Sequence, residues 1–460
     1  MGPQEMRDCH PTVVAVSTPP GRGGIAVVRV SGSDSLPIFS KAWRGAIPDE
    51  MESHTVHLGW IVDSSGADID QVVVTIYRAP NSYTGEDVVE ISCHGSPWIQ
   101  QTIVNRLIES GASPAAGGEF TRRAFLNGRL DLAQAEGVAD MIAASSAASA
   151  RLAASQLRGD FSKQLEGLRQ KLIDLGSLLE LELDFSEEDV EFANRTELIN
   201  LTETILKTIR RLASSYRAGN VFKNGIPVAI AGIPNAGKST LLNALIGEDK
   251  AIVSDIAGTT RDVIEDTAEI GGLLFRFYDT AGLRESADTI ESIGIERARR
   301  KISEAYIVVR LIDPTSEAGS QMLEFPELQP ETKVIDVIGK KDLIESHGPK
   351  VTKTKFENPV LLSAKTGEGM EELKERLMVL ATSEFNPEQE LVVTNARHYK
   401  ALLQAEEPLE RLLEGLRGGI SADFLAQDLR EAEHHLGTIT GAVTSTDILH
   451  TIFARYCIGK

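Results

Sequence analysis

The sequence predicts a multidomain chain in which an α/β domain is inserted into an α-helical bundle domain, behind an α+β N-terminal domain. Three observations predict this class. Short β-branched runs with one helical stretch fill the first part of the chain, strands and helices alternate from residue 225 to 383, and amphipathic helical patterns flank that unit on both sides. The predicted boundaries are 1–128, 129–224, 225–383 and 384–460, and the second and fourth segments form one helical domain.

Size and composition exclude several classes of protein. The 460 residues suffice for about three domains, and no apolar run approaches the ~20 residues of a membrane span. The polar N-terminus lacks the apolar core of a signal peptide, so we expect a cytoplasmic protein. Cys9, Cys93 and Cys457 have neither disulfide-framework nor zinc-ligand spacing. A net charge of −20 argues against non-specific nucleic-acid binding by this chain alone.

Periodicity predicts the secondary structure on either side of the α/β unit. In the N-terminal domain it predicts strands at 12–17, 25–30, 71–77 and 88–92 and a helix at 98–110. In the helical domain it predicts helices at 196–216, 395–416 and 421–436, the third capped by Ser421, and a last helix capped by Ser445 or Thr446. An acidic stretch, 184–191, is expected to break the first helical half. Leucines at steps of three and four predict one buried helical stripe, formed by Leu165, Leu168, Leu172, Leu175 and Leu179.

The α/β unit begins with a phosphate-binding loop. Residues 232–239 read G-x-x-x-x-G-K-S between an apolar run and a helical pattern, which is the strand–loop–helix context of a P-loop. Backbone N–H groups and the helix N-terminus favour an anion there, Lys238 can reach the terminal phosphates, and Ser239 can ligate Mg²⁺. The predicted residues of this loop are Asn235, Ala236, Gly237, Lys238, Ser239 and Thr240. Further strands are predicted at 274–279, 307–312, 333–338 and 360–363, with a closing helix at 369–380.

Three motifs follow in the order found in GTPases of the translation-factor class, which the unit resembles. A threonine of the first can close on Mg²⁺ and the γ-phosphate, the D-x-x-G of the second stands at a strand end, and the third can present a backbone N–H to the guanine carbonyl. GTP is therefore the expected substrate. The three motifs contribute Gly258, Thr259 and Thr260; Asp279, Thr280, Ala281 and Gly282; and Ser363, Ala364 and Lys365.

The guanine-reading motif N-K-x-D is imperfect, because Gly339 stands where Asn is usual. Lys340 can still cover the base, and Asp342 can still pair with the guanine N1 and N2 donors. The missing Asn normally braces this loop against the P-loop. We therefore expect guanine specificity to be kept while the affinity is weakened.

The residue after D-x-x-G also departs from the Ras pattern. It is Leu283, which cannot orient water as a glutamine does, so hydrolysis needs another polar group. Glu291 is the candidate. No arginine finger is identifiable in the sequence, and the amide oxygen of Asn235 with carbonyls of the loop 254–258 could instead hold a monovalent cation beside the phosphates.

Nearly the whole chain resembles the MnmE (TrmE) family of tRNA-modification GTPases. The resemblance is carried by residues 20–25, 81–87, 118–136 and the terminal Cys-Ile-Gly-Lys at 457–460, none of which P-loop GTPases share in general. It implies an N-terminal domain that binds a tetrahydrofolate derivative, 5,10-methylene- or 5-formyl-tetrahydrofolate, and that forms homodimers. The positions matching the folate contacts are Arg29, Glu90, Arg129, where some members have Lys, and Lys460. Cys457 matches the functional cysteine of the family.

For the GTPase, the resemblance implies activation by K⁺ and dimerisation of the nucleotide domains. The implied K⁺ ligands are Asn235, Ser254, Ile256 and Thr259, and the implied Mg²⁺ ligands are Ser239 and Thr260. Glu291 falls on the catalytic glutamate of the family.

The resemblance also implies partners. They are tRNA and the FAD protein MnmG (GidA), in a heterotetramer or larger complex that adds an aminomethyl or carboxymethylaminomethyl group to C5 of the wobble uridine. No membrane partner is expected. Two alternatives stay open. One is a ribosome-assembly GTPase switch, which the acidic charge and the lack of a basic RNA-binding module disfavour; the other is a folate-binding scaffold with a degenerate GTPase, motivated by Gly339.

Overall fold

A computed structural model describes residues 10–184, 195–248, 266–279, 300–315, 328–330, 332–343, 356, 358–383, 391–454, 456 and 458–459. In this part of the chain the strands are β1 Val13–Val16, β2 Ile25–Ser31, β3 Trp43–Arg44, β4 Thr55–Val62, β5 Asp68–Tyr77, β6 Val88–His94, β7 Ser113–Pro114, β8 Ile226–Gly232, β9 Asp266–Ile270, β10 Leu273–Asp279, β11 Ile307–Ile312, β12 Lys333–Ile338 and β13 Val360–Leu361. The helices are α1 Ser35–Ser40, α2 Pro97–Glu109, α3 Glu119–Leu126, α4 Leu132–Ala143, α5 Ala147–Leu157, α6 Asp160–Asp184, α7 Arg195–Ser214, α8 Tyr216–Asn224, α9 Lys238–Glu248, α10 Met370–Thr382, α11 Ala396–Gly418, α12 Ala422–Thr440 and α13 Thr446–Phe453.

The chain divides into two compact units. The first comprises Met1–Ala139, Ser155–Ile209 and Ala401–Lys460, and the second comprises Asp140–Ala154 and Arg210–Lys400. The four segment boundaries given by the sequence stay predictions. None of the helices among the described residues is both long and apolar enough to cross a bilayer.

The first unit contains a seven-stranded sheet in the order β3-β4-β5-β6-β2-β1-β7, antiparallel except for the pairing of β1 with β7. Alternation along β5 buries Val72, Val74 and Ile76 on one face, and this face packs with Ile103 and Leu107 of α2 in one apolar core. The four predicted strands and the predicted helix are all present. The sequence did not predict β4, which pairs with β5 over its whole length.

The predicted leucine stripe is buried in α6. All five leucines are at most 3% exposed, and α6 packs on α12, where Gly176 lies against Leu429. The N-terminal part of α7 joins the end of α11 through an ion pair between Arg417 and Glu203. Ser421 occupies the N-cap position of α12, as predicted, but its side chain makes no capping hydrogen bond. Before α13 the backbone N–H of Ile448 donates to Ser445 Oγ at 3.4 Å.

The second unit contains a six-stranded sheet in the order β13-β12-β11-β8-β10-β9. The predicted strands are present, and β11 and β12 have the predicted bounds. The four parallel pairings follow the doubly wound pattern, whereas the edge strand β9 pairs antiparallel with β10. Gly271 and Gly272, both at positive φ, form the tight turn of this hairpin, which the sequence analysis missed.

Candidate nucleotide-binding site

The phosphate loop links β8 to α9 at the carboxyl edge of the second sheet. Gly232 ends β8, and a Cβ placed there would lie 2.7 Å from the backbone oxygen of Leu311, so β11 can approach only a glycine this closely. Asn235 and Gly237 both adopt positive φ, at 62° and 98°. Asparagine tolerates this region better than most residues, which explains how a non-glycine residue forms the turn.

Lys238 is the first residue of α9 and is 7% exposed. Its Nζ donates to the carbonyl oxygens of Gly232 and Ile233, each at 2.9 Å. The ammonium group therefore lies over the loop in which a phosphate would bind. Ser239 and Thr240 follow in the first turn with exposed side chains. A hydroxyl at this helix terminus fits a hard cation such as Mg²⁺, which prefers oxygen ligands.

Three of the predicted motifs line one cavity of about 290 Å³. Residues far apart in sequence meet there because β8, β11, β12 and β13 are parallel neighbours, so the segments after them share one edge of the sheet. The lining from the phosphate loop and α9 is Ala236, Gly237, Thr240 and Leu241. The lining from the guanine-reading motif is Gly339, Lys340, Asp342 and Leu343, and that from the Ser-Ala-Lys motif and the residue before it is Leu362, Ser363, Ala364 and Lys365, with Leu311 from β11.

Lys340 connects this cavity to the phosphate loop. It adopts a φ of 52°, and its Nζ donates to the carbonyl oxygen of Asn235 at 3.0 Å and to Oδ2 of Asp313 at 2.7 Å. Asp313 directly follows β11 and is 5% exposed. Burial would raise the pKa of Asp313, but hydrogen bonds from Lys340 and Thr315 outweigh it and hold this pKa below its usual value. Asp313 was missed by sequence reasoning, although its place after a parallel strand could have signalled it.

The carboxylate expected to bind guanine, that of Asp342, is held by a serine of the Ser-Ala-Lys motif. Ser363 is fully buried, and its Oγ donates to Oδ1 of Asp342 at 2.7 Å. This bond leaves Oδ2 of Asp342 to accept a hydrogen bond from a ligand. The Ser-Ala-Lys motif thus orients the guanine-reading motif, a role not predicted for Ser363.

Several predicted site residues lie outside the described residues. These are Ser254, Ile256, Gly258, Thr259, Thr260, Thr280, Ala281, Gly282, Glu291, Cys457 and Lys460. Asp279 is the last residue of β10, directly beside β8 in the sheet.

The residues expected to contact folate lie in the first unit. Arg29 of β2 and Glu90 of β6 are register partners, and Arg29 Nη2 lies 2.7 Å from Glu90 Oε1. The guanidinium of Arg29 also faces the rings of Tyr83 and Phe120, each with its centroid 5.3 Å away. Arg129 follows α3 and lies against Gly85 of the loop 81–87, where a Cβ would lie 3.2 Å from Arg129 Cγ.

Arg123, which is 1% exposed, holds the loop 81–87 in place. Its Nη1 donates to Oε2 of Glu86 at 3.0 Å, its Nε to Oε1 of Glu119 at 3.0 Å, and its Nη2 to the carbonyl oxygen of Pro11 at 2.7 Å. Asn127 Nδ2 donates to the carbonyl oxygen of Thr84 at 2.8 Å. A buried cation with two carboxylates fixes the loop beside Tyr83, and sequence reasoning gave Arg123 no such role.

The described end of the chain lies against the same sheet. Ile458 forms a β-bridge with Gly117, and Gly459, at a φ of +95°, has no space for a Cβ beside the carbonyl oxygen of Val16. Only glycine fits this position, so Gly459 can lie directly beside β1.

One cavity lined both by a phosphate loop and by the lysine and aspartate of a guanine-binding motif is characteristic of a P-loop GTPase. The model of the TrmE N-terminus, described as a GTP-binding protein, matches residues 12–129, and that of the MnmE helical domain matches 132–457. A tRNA modification GTPase MnmE from Christiangramia forsetii is 47% identical over 98% of this chain and 99% of its own length, and one from Bacteroides fragilis is 48% identical with the same coverage. The chain belongs to the MnmE family, and it is a GTPase with the predicted multidomain fold.

Among solved structures, the FeoB G-domain from Methanococcus jannaschii is 27% identical, covers 34% of this chain and 96% of that chain, and gives a TM-score of 0.25. At this TM-score the likeness supports no conclusion about this chain.

Proposed function

We propose that this chain is a K⁺-activated GTPase whose GTP hydrolysis drives modification of the wobble uridine of certain tRNAs in the cytoplasm. It acts as a homodimer and together with the FAD protein MnmG, and the product carries a 5-aminomethyl or 5-carboxymethylaminomethyl group. The observation that carries the proposal is the meeting of the phosphate loop, Lys340, Asp342 and Ser363 around one cavity, in a chain of the MnmE family.

The case for K⁺ rests on the positive charge that an arginine finger supplies in other GTPases, because no such arginine is identifiable in this sequence. Leu283, which follows D-x-x-G, has no hydrogen-bonding side chain, and the orientation of water is therefore left to Glu291. Asn235 stands in the phosphate loop with an exposed side chain, and we propose it as a K⁺ ligand together with Ser254, Ile256 and Thr259. A bound K⁺ supplies positive charge beside the triphosphate, the contribution that an arginine finger makes in other GTPases.

The remaining roles follow from the same set of residues. Lys238 binds the terminal phosphates, Ser239 and Thr260 hold Mg²⁺, Glu291 orients the attacking water, and Asp342 reads guanine. In the first unit, Arg29, Glu90, Arg129 and Lys460 bind the tetrahydrofolate that supplies the one-carbon unit, and Cys457 acts near it. Because this chain has a net charge of −20, we expect MnmG to provide much of the basic surface for tRNA.

GTP turnover tests the proposal when it is measured in K⁺ and in Na⁺ at equal ionic strength. We expect turnover in K⁺ to exceed that in Na⁺ by at least about tenfold, since removal of one stabilising group from a transition state costs about 100- to 1000-fold and Na⁺ can replace part of the charge. Glu291→Ala should abolish the K⁺-dependent turnover. Glu375→Ala, which changes an exposed glutamate of α10 outside the cavity, should not. Equal rates in the two salts would contradict the proposal.

The tRNA role is tested by mass spectrometry of wobble uridine from cells that carry only this protein. Modified uridine should be present with the wild-type chain and with Glu375→Ala and absent with Glu291→Ala. Full modification in the Glu291→Ala cells would separate GTP hydrolysis from tRNA modification.

A further inference from the structure

The first unit contains a cavity of about 660 Å³, and of its lining residues only Arg129 has a role in the function proposed above. It lies between the turn that follows α3, the N-terminal half of α6 and the end of α12. Its charged and hydroxyl lining consists mainly of Arg129, Asp131, Ser162, Lys163, Glu166 and Arg169. A volume of this size is in the range of pockets that take small organic ligands.

The two acids of the lining are already engaged within the fold. Oδ1 of Asp131 accepts a hydrogen bond from the backbone N–H of Gln134 at 2.8 Å, which caps α4. Glu166 pairs with Arg169 one helical turn away, at 3.4 Å. By contrast, the side chains of Arg129 and Lys163 make no hydrogen bond or ion pair with any described residue. Two available cations therefore face one cavity in a chain that is strongly acidic overall.

Ser162 adds an unsatisfied polar group to the same wall. Its Oγ is buried, and no described atom serves as its hydrogen-bond partner. Buried hydroxyls are normally hydrogen-bonded, because an unpaired one costs free energy. The position therefore suits a ligand that brings its own polar atoms.

The cavity is continuous with the residues proposed to bind folate. Arg129 lines it, and a Cβ placed on Gly85 would lie 3.2 Å from Arg129 Cγ. Gly85 belongs to the loop 81–87, which also carries Tyr83 over the guanidinium of Arg29. A folate held at Arg29 and Glu90 would thus have the loop on one side and Arg129 at the mouth of the cavity.

We propose that this cavity binds the chain of γ-linked glutamates that folates carry at the end opposite the pteridine. This inference rests on the folate binding proposed above and specifies the form of folate that the site prefers. Each γ-linked glutamate contributes one carboxylate, so the tail is a linear array of negative charges. Arg129 meets the tail where the cavity borders the loop 81–87, Lys163 meets it on α6, and Arg169, which already pairs with Glu166, can share its charge with the tail.

The spacing of the cations on α6 fits a repeating ligand better than a single anion. Ser162, Lys163, Glu166 and Arg169 lie on one helical face within eight residues, a rise of about 10 Å from the first to the last. Cations spread over such a length can each contact a different carboxylate. The hydroxyl of Ser162 can donate to one of these carboxylates or to an amide oxygen of the tail.

The experiment compares monoglutamate and pentaglutamate forms of 5-formyl-tetrahydrofolate, titrated calorimetrically into the full-length protein. The wild-type chain should bind the pentaglutamate about tenfold more tightly, as expected for two or three partly exposed charge pairs. This preference should shrink at high salt, because such pairs are screened. In Lys163→Gln the preference should fall to about threefold or less. Lys171→Gln, which changes an exposed lysine of α6 outside the cavity, should keep the wild-type ratio.

The outcomes separate this inference from the folate proposal. Equal affinities for the two folates in the wild-type chain would overturn the tail site while leaving folate binding intact. Binding of neither form would overturn the folate proposal and the tail site together. A wild-type ratio in Lys163→Gln, combined with weaker tRNA binding by that variant, would overturn the tail site and assign the cavity to the tRNA backbone. Lys163 is exposed, so its substitution should not disturb folding, and thermal unfolding of both variants checks this.

Discussion

Replacing Gly339 by asparagine should tighten guanine-nucleotide binding, because the new amide can brace the base-reading loop against the phosphate loop. Gly339 is buried, and a Cβ built on it would lie 3.8 Å from the carbonyl oxygen of Ala236 in the phosphate loop. The amide nitrogen of asparagine lies two bonds beyond Cβ, which brings its N–H within reach of this oxygen. The φ of Gly339 is not positive, so a side chain imposes no backbone strain.

The magnitude follows from two opposing contributions. A neutral hydrogen bond contributes about 1 kcal/mol, which corresponds to roughly a fivefold lower Kd. Against it, the new Cβ would lie 3.1 Å from Cδ1 of Leu311, so the end of this side chain must move by a few tenths of an ångström. Gly339→Ala meets the same contact without the amide. Comparing the two variants therefore isolates the brace.

The assay is fluorescence titration of labelled GDP at saturating Mg²⁺. We expect the Kd of Gly339→Asn to be about fivefold lower than that of Gly339→Ala and below that of the wild-type chain. Identical Kd values for the two variants would refute the reasoning, because the amide would then make no contact that matters for the nucleotide.

Two further substitutions, the pH dependence of stability and the labelling of one cysteine also have expected outcomes. Asp313→Asn should raise the Kd for GDP about fivefold, because Lys340 loses its charged partner. The effect is no larger because Lys340 is partly exposed, and solvent weakens its ion pair with Asp313. Hydrogen bonds outweigh burial and lower the pKa of Asp313, so its contribution to the free energy of unfolding is present above about pH 4. This contribution is lost as the pH falls through the lowered pKa, and urea unfolding at several pH values measures the loss. Asp342→Asn should shift preference from GTP to XTP by more than about tenfold, because an amide can donate to the xanthine 2-carbonyl. Burial raises the pKa of Cys93 to about 11, so iodoacetamide at about pH 8 should label it slowly in the native protein, as read by peptide mass spectrometry.

Controls distinguish these effects from loss of folding. Asp336→Asn removes the ion pair of 2.6 Å with Arg310 in the same sheet, outside the nucleotide cavity, and should lower stability without changing the Kd for GDP. A stability difference between Asp313→Asn and wild type that does not change with pH would contradict the lowered pKa. Unchanged GTP preference in Asp342→Asn would remove this residue from base reading. Labelling of Cys93 as fast as in denatured protein would contradict its burial.

β11 is buried at every residue, and five of its six residues are apolar, so an apolar run interrupted only by Arg310 was enough to give its bounds. β4 was missed because half of it faces solvent, with Val56 and Leu58 exposed and His57 and Gly59 on the opposite side. Its pairing with β5 decides its conformation. β9 was missed for a similar reason, since an edge strand with polar residues depends on the hairpin that joins it to β10.

In the candidate site too, some residues were predicted from local sequence and others depend on tertiary contacts. The residues of the phosphate loop and the lysine–aspartate pair were predicted because each set is contiguous in sequence and its chemistry depends on local spacing. Asp313 lies 27 residues from Lys340. Arg123 lies 37 residues from Glu86. No local pattern marks such partners, because a contact between distant residues depends on strand order and helix packing.

By itself, the sequence determined the family, the domain classes and the residue types that hold the nucleotide, since backbone preference, periodicity and motif spacing act over a few residues. Only the tertiary structure decided that Arg129, Lys163 and Ser162 share one cavity, that Asp313 holds Lys340, and that Gly339 lies beside a phosphate-loop carbonyl. The physical reason is that available charges and unpaired polar atoms are properties of a packed environment, and packing joins segments that the chain keeps far apart.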